Sequence, residues 1–269
     1  MQIAHVSLPA WLTPRLSRLP SEPLLQHDGD RFVLSLPAPR PPQLDDFGRT
    51  STGLAGFDLH NFRMLPQERM SGSAQYSPQG LDELVQQLPH VDPKNIFLCD
   101  LREEPHLMVD GLPVSWQLPA RHTFDSHLEP WLLAQTRKLG SAVESEVDAV
   151  HKLGAHALRY HVFDSCAPSR QVINQFVHDM RGLPPDAWVH FHCAGGMGRT
   201  TTFMCLRDMM LNAKRDSFED ILSRQARLGG MDLLHVAHGD ARAQGRLEVL
   251  QHFYQYCKTN SDGFQTLYN

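Results

Sequence analysis

Cys193 is followed six positions later by Arg199 and then by Thr200, with His192 before it and Ala194, Gly195, Gly196, Met197 and Gly198 in between. Those residue types at that spacing can transfer a phosphoryl group. Val189 to Phe191 read as a buried strand and Thr201 to Leu211 as a helix, so Cys193 stands just ahead of a helix N-terminus. Unpaired backbone N–H groups and the positive end of the macrodipole favour an anion there, both a thiolate and a phosphate above it. A thiol of ordinary pKa, about 8.5, becomes largely thiolate near neutral pH in such surroundings. The glycines let the backbone turn tightly, so that positions 194 to 198 form a nest of N–H groups around the anion. Arg199 offers a planar fork for two phosphate oxygens. The Thr200 hydroxyl can donate to the sulfur and ease its departure, and His192 is expected to brace the loop through backbone hydrogen bonds.

Thiolate attack on a phosphate ester needs a second group, because the leaving oxygen must be protonated and a water later activated. Asp164 is the expected acid and base. It ends a strand-like stretch over Ala157 to Val162 and is followed by Pro168 and by the helical spacing of Val172, Phe176 and Val177. Asp179 and Asp186 read more naturally as solvated surface charges. Of the five cysteines only Cys193 has an arginine at the required distance, and His190, His192 and Cys193 have no second Cys/His pair at zinc spacing. The sequence therefore implies neither a metal nor an organic cofactor.

Longer segments carry a resemblance. Asp186 to Cys193, Arg199-Thr200-Thr201, Ile221 to Gln225 and Gly229-Gly230 look like the bacterial protein-tyrosine-phosphatase-like phytases, cysteine enzymes that dephosphorylate myo-inositol hexakisphosphate. So do Asn61-Phe62-Arg63, Gly72 to Ser77, Asp100 to Glu103, Asp110 to Trp116, Phe253 to Tyr256 and Asp262 to Thr266. The resemblance runs from about residue 45 to the end and implies that family's α/β fold, a central mixed sheet flanked by helices with room for a small β-rich lobe. It also implies Cys193 as nucleophile, Arg199 as phosphate clamp and Asp164 as acid, with Arg63, Asp100 and Arg102 near an inositol polyphosphate substrate. Two positions depart from the family pattern: Ser165 replaces a His after the acid, and Ala194 replaces a Glu after the cysteine. A protein tyrosine or dual-specificity phosphatase shares the loop, but no segment resembling its phosphotyrosine-recognition loop is evident. A dead phosphatase kept for binding would be expected to lack the nucleophile, the arginine or the acid, and all three are present.

The chain must also build a frame around these groups. With 269 residues, 41% of them hydrophobic, it can bury a substantial core. A formal net charge of −5 argues against a nucleic-acid partner. Five irregularly spaced cysteines and a catalytic thiol argue against a disulfide scaffold. Residues 1–44, with the run Leu36-Pro37-Ala38-Pro39-Arg40-Pro41-Pro42, read as a Pro-rich extension and 45–269 as the domain proper. Met1 to Pro20 lacks the pattern of a secretory signal, and no stretch is long and apolar enough to span a membrane. That leaves a soluble protein, cytoplasmic, exported by another route or with its signal removed, and of open oligomeric state. Ser77-Pro78 starts a helix to Leu88, Asn95 to Asp100 form a buried strand with Cys99 in the core, and 132–153 and 218–228 are amphipathic helices. Lys94, Arg121, Arg242 and Arg246 are secondary candidates for a cationic rim, and Gln225 for positioning a water.

Overall fold

The structure is a computed structural model that describes residues 43–44, 59–116, 128–237 and 239–269. The Pro-rich arm, all but the last two residues of the expected extension, and Arg121 lie outside these residues. The strands are β1 (Gln43–Leu44), β2 (Arg63–Leu65), β3 (Met70–Ala74), β4 (Ile96–Arg102), β5 (His106–Val109), β6 (Leu112–Ser115), β7 (Val143–Glu144), β8 (His156–Val162) and β9 (Trp188–Cys193). The helices are α1 (Pro78–Gln87), α2 (Leu128–Lys138), α3 (Glu146–Lys152), α4 (Arg170–Arg181), α5 (Gly198–Asn212), α6 (Phe218–Arg227) and α7 (Ala241–Thr259). They fall into two compact units, one holding β1 and Glu104–Ala149, the other the described part of Phe47–Glu103 together with Val150–Asn269.

The smaller unit is the β-rich lobe. Its sheet runs β1-β6-β5-β7, with every pairing antiparallel. Asp110 and Gly111 join β5 to β6 with φ of 51° and 79°, the left-handed pair that a two-residue hairpin turn requires. Leu107, Val109, Val114 and Trp116 meet Leu128 and Leu132 of α2 in a separate core. One sequence expectation fails here: 132–153 is not a single helix. Gly140, at φ 79°, ends α2, and Val143 and Glu144 then pair with Val109 and Met108 before α3 begins. A left-handed glycine stops a helix whatever periodicity follows it.

The larger unit carries a five-stranded mixed sheet in the order β2-β3-β9-β4-β8, parallel except for the β2–β3 pair. Every residue of β3 and β9 is buried, and Ser71, Ser73, Trp188 and His190 hydrogen-bond one another across the ladder. Trp188 Nε1 donates to Ser71 Oγ at 2.8 Å, and the ring of His190 lies between Ser71 Oγ at 2.9 Å and Ser73 Oγ at 3.1 Å. Gly72 is small for a reason, since a Cβ there would stand 2.6 Å from Thr200 Cγ2 and 2.7 Å from Met204 Sδ. Its absence lets α5 lie flat on β3. On the same unit Tyr160, Phe176 and Phe203 pack edge-to-face and stacked with centroids 5.3 to 5.6 Å apart. Each such ring contributes about 2 kcal/mol by burial. Cys99 sits in this core at 0% exposure, and burial pushes its thiol well above the usual range.

Helices begin where the sequence caps them. Ser77 Oγ accepts from Gly80 N ahead of α1, Ser169 Oγ from Val172 N ahead of α4, and Ser217 Oγ from Asp220 N ahead of α6. No helix among the described residues is long and apolar enough to cross a membrane. Asp208, fully buried on α5, accepts from Asn212 Nδ2 at 2.8 Å, Gln225 Nε2 at 3.0 Å, and Arg224 Nη2 and Nε at 2.7 and 3.0 Å. The carboxylate holds the Arg224 guanidinium further into its charged form than usual and ties α5 to α6. Asp208→Ala should cost about 3 kcal/mol in urea unfolding, because it strands the buried donors of Gln225 and Asn212. An unfolding midpoint equal to wild type would refute this role.

Candidate active site

Parallel pairing places Cys193. Ala74 and Cys193 are register partners, as are Asp100 and His192, so Cys193 ends the central strand β9 between the ends of β3 and β4. That is the carboxyl edge of a parallel sheet, where such folds build ligand sites. Residues 194–197 then turn into α5, which begins at Gly198. Three successive loop carbonyls are tied down. Gln75 N–H donates to Ala194 O at 3.1 Å, Asn61 Nδ2 to Gly195 O at 2.8 Å, and Arg63 Nη1 to Gly196 O at 2.8 Å. In a trans peptide the next N–H points opposite its carbonyl, so the amides of Gly195, Gly196 and Met197 face away from these anchors. Gly196 has φ 68°, and a Cβ on it would lie 2.6 Å from the Ser73 carbonyl carbon and 2.8 Å from its oxygen.

Cys193 is 4% exposed, and Thr200 Oγ1 lies 3.2 Å from its Sγ and 3.4 Å from Ser73 O. A hydroxyl has one proton, so Thr200 can serve the sulfur or the carbonyl. Arg199 uses its fork on the segment that carries Asp164: Nη1 donates to Val162 O at 3.0 Å, and Nη2 stands 3.1 Å from Asp164 Oδ1. The Asp164 carboxylate, 76% exposed, thus occupies a place on the guanidinium that a phosphate oxygen would take. Ser165, in the left-handed region at φ 62°, donates from Oγ to Asp164 Oδ2 at 3.2 Å. His192 is fully buried beneath the loop, its ring 4.8 Å from that of Tyr76.

The residues expected near the substrate are buried around the loop. Arg63 is 4% exposed and spends its guanidinium on Asn61 O, Gly196 O and Thr201 Oγ1, at 2.9, 2.8 and 3.0 Å. It braces the loop from behind. Burial pushes its pKa down to about 10, against the opposing pull of Cys193 and Cys205. Asp100, 5% exposed, pairs with Arg159 Nε at 2.8 Å and accepts from Arg102 N at 2.9 Å. Arg102 is 1% exposed and donates from Nη1 to Gln75 Oε1 at 3.0 Å, next to the residue whose amide holds Ala194. Through these contacts Arg63 and Arg102 connect to the strands and turns that hold the loop. Gln225 is fully buried, and its Nε2 donates to Asp208 Oδ2 at 3.0 Å. Lys94 precedes β4 at the sheet edge opposite the loop and pairs with Asp92 at 2.9 Å, while Arg242 is exposed at the start of α7. Arg246, only a secondary candidate in the sequence, packs against Gly198, where a Cβ would meet its Nη1 at 2.6 Å. Burial lowers its pKa, opposed by Asp240, Asp164, Cys166 and Cys193.

Gly196→Ala combines a positive φ with a collision against β3. It should cost about 1–3 kcal/mol in stability and about a hundredfold in kcat as the amides shift. A variant with wild-type kcat would show that the loop does not need this contact.

Comparison with known proteins agrees with this geometry. The family model for PTP-like phytases, described as inositol hexakisphosphate, matches residues 125–211. The PTP-like phytase from Bdellovibrio bacteriovorus superposes with a TM-score of 0.69 at 29% identity, over 89% of this chain and 98% of that one. The PTP-like myo-inositol phosphatase from Mitsuokella multacida, solved with myo-inositol-(1,3,4,5)-tetrakisphosphate, gives 0.67 at 28% identity over 89% of this chain and 45% of that one. The effector protein hopD2 of Pseudomonas syringae pv. tomato is 29% identical over 206 residues, 62% of this chain. The chain spans only 44% of hopD2, less than half its length. From the loop geometry, the sheet order and these likenesses together, the chain is similar in fold and in its cysteine loop to the PTP-like phytases.

Proposed function

We propose that this protein is a phosphatase that hydrolyses phosphate monoesters of myo-inositol polyphosphates, phytate first among them, through a phosphocysteine intermediate. The observation that carries the reading is the Thr200 hydroxyl on Cys193 Sγ at 3.2 Å, beneath a loop whose anchored carbonyls turn its amides the other way. The relative solved with an inositol tetrakisphosphate supports the substrate class.

Each step follows from a group already in place. Phosphate oxygens take the loop amides and the Arg199 fork, displacing Asp164 from Nη2. Asp164, released from Nη2, is the group on this loop that serves as the acid. Cys193 Sγ attacks phosphorus in line, the P–O bond to the inositol breaks, and Asp164 gives its proton to the leaving oxygen. Asp164, now a carboxylate, takes a proton from water as that water attacks the phosphocysteine and the S–P bond breaks. The Thr200 hydroxyl stabilises the departing thiolate, and the fixed amides stabilise the equatorial oxygens throughout. The role of Arg63 is to keep Gly196 and Thr201 in register for this.

Phosphate release from phytate, measured in EDTA, should fall by more than about a thousandfold in Cys193→Ser. Asp164→Asn should lower kcat by about 10²–10⁴-fold and flatten one limb of a bell-shaped pH profile centred on the acid side of neutrality. Full activity in Cys193→Ser would remove the mechanism, and an unaltered pH profile in Asp164→Asn would remove the assigned acid.

A further inference from the structure

The buried hydrogen bonds between β3 and β9 have a direction, and the phosphoryl-transfer steps make no use of them. Trp188 Nε1, which can only donate, gives its hydrogen to Ser71 Oγ at 2.8 Å. Among the described residues the proton of the Ser71 hydroxyl then has one acceptor in reach, His190 Nδ1 at 2.9 Å. Ser73 Oγ donates to Ala74 O at 2.6 Å, which leaves its lone pairs for a hydrogen on His190 Nε2 at 3.1 Å. Every proton from Trp188 through Ser71, His190 and Ser73 to Ala74 O finds an acceptor only when His190 is neutral with its hydrogen on Nε2. A hydrogen on Nδ1 would strand the Ser71 proton in a place where Ser71, Ser73 and His190 are all 0% exposed.

This relay starts on the first residue of β9 and ends on the last residue of β3, the register partner of Cys193. The loop rests on that end of β3. Thr200 Oγ1 reaches Ser73 O at 3.4 Å, Gly196 lies so close to the Ser73 carbonyl that no Cβ fits, and Gln75 N–H holds Ala194 O at 3.1 Å. Gly72 turns toward Thr200 and Met204 of α5, so by strand alternation Ser71 and Ser73 face the other side of the sheet. His190 therefore works on β3 from the face that α5 leaves open. The rings of Phe62 and Tyr76, with centroids 6.4 and 6.2 Å away, pack around it there.

We infer that His190 is a positioning residue for the phosphoryl transfer and acts through Ser73. As a neutral imidazole it keeps the Ser73 hydroxyl on Ala74 O, and so fixes the peptides at the end of β3 from which the loop and Thr200 take their places. It touches no substrate and gives up no proton. The inference rests on the phosphocysteine reading and adds to it what keeps the loop aimed from beneath.

The test is kcat and KM for phytate in wild type, His190→Phe, His190→Gln, Ser73→Ala and the double variant of His190→Phe with Ser73→Ala, each normalised to its folded fraction, together with the ring-nitrogen NMR shifts of His190 in wild type. The NMR shifts should show the neutral Nε2–H form across the pH range of activity. In His190→Phe kcat should fall about tenfold with KM within about twofold of wild type. A Gln amide carries one acceptor and one donor side by side, as the neutral imidazole does, so His190→Gln should regain most of that loss. Ser73→Ala should resemble His190→Phe, and the double variant should be no slower than the worse single, because the two residues act in series. Wild-type kcat in His190→Phe, no gain in His190→Gln, losses that multiply in the double variant, or a ring carrying its hydrogen on Nδ1 each overturns the role of His190 and leaves the phosphocysteine reading intact. A wild type that releases no phosphate from phytate overturns both.

Discussion

Everything at this site depends on turning one short piece of backbone inside out. The carbonyls of Ala194, Gly195 and Gly196 are bound in sequence by Gln75, Asn61 and Arg63, and the amides are left facing the other way. A glycine-rich loop on its own samples many conformations, and each ordered residue costs about 1–2 kcal/mol of backbone entropy. Three hydrogen bonds from one side, together with the contact of Gly196 on Ser73, remove that freedom before any anion arrives. The site is therefore preorganised, which is what stabilising charge in a transition state requires.

The same constraint explains why so much charge is buried where no substrate is present. A guanidinium is expensive to take out of water, and the lowered pKa of Arg63 records that cost. Its place is justified by geometry: its planar fork reaches Asn61 O, Gly196 O and Thr201 Oγ1 together. Thr201 Oγ1 in turn accepts from Met231 N at 2.9 Å, so the brace continues past the loop to the segment after α6. Asp208 secures α5 against α6 in the same way.

Much of this was legible in the sequence because it is local. Cys193, the glycines, Arg199 and Thr200 lie within one strand, turn and helix, and backbone rules alone bring them together. Asp164 could be read because it ends a strand-like run. The partners of Arg63, Asp100 and Arg102 could not, because they are residues remote in sequence that only the sheet and the loop bring near. The break at Gly140 was missed because apolar spacing continued on both sides of it, although the glycine itself was visible. Helix α7 and the approach of Arg246 to Gly198 are tertiary facts. The available signals were the Asp240 cap and the buried spacing of Leu250, Phe253 and Cys257.

The central claim is that this loop passes a phosphoryl group to Cys193. Acid quench of the protein during phytate turnover, followed by mass analysis of the peptide containing Cys193, tests it directly. One phosphoryl group on Cys193 is the predicted result in the wild type and in Asp164→Asn, where loss of the carboxyl slows both formation and hydrolysis of the intermediate. Steady phosphate release with no label on Cys193 in either protein, at quench times well inside one turnover, would contradict the account.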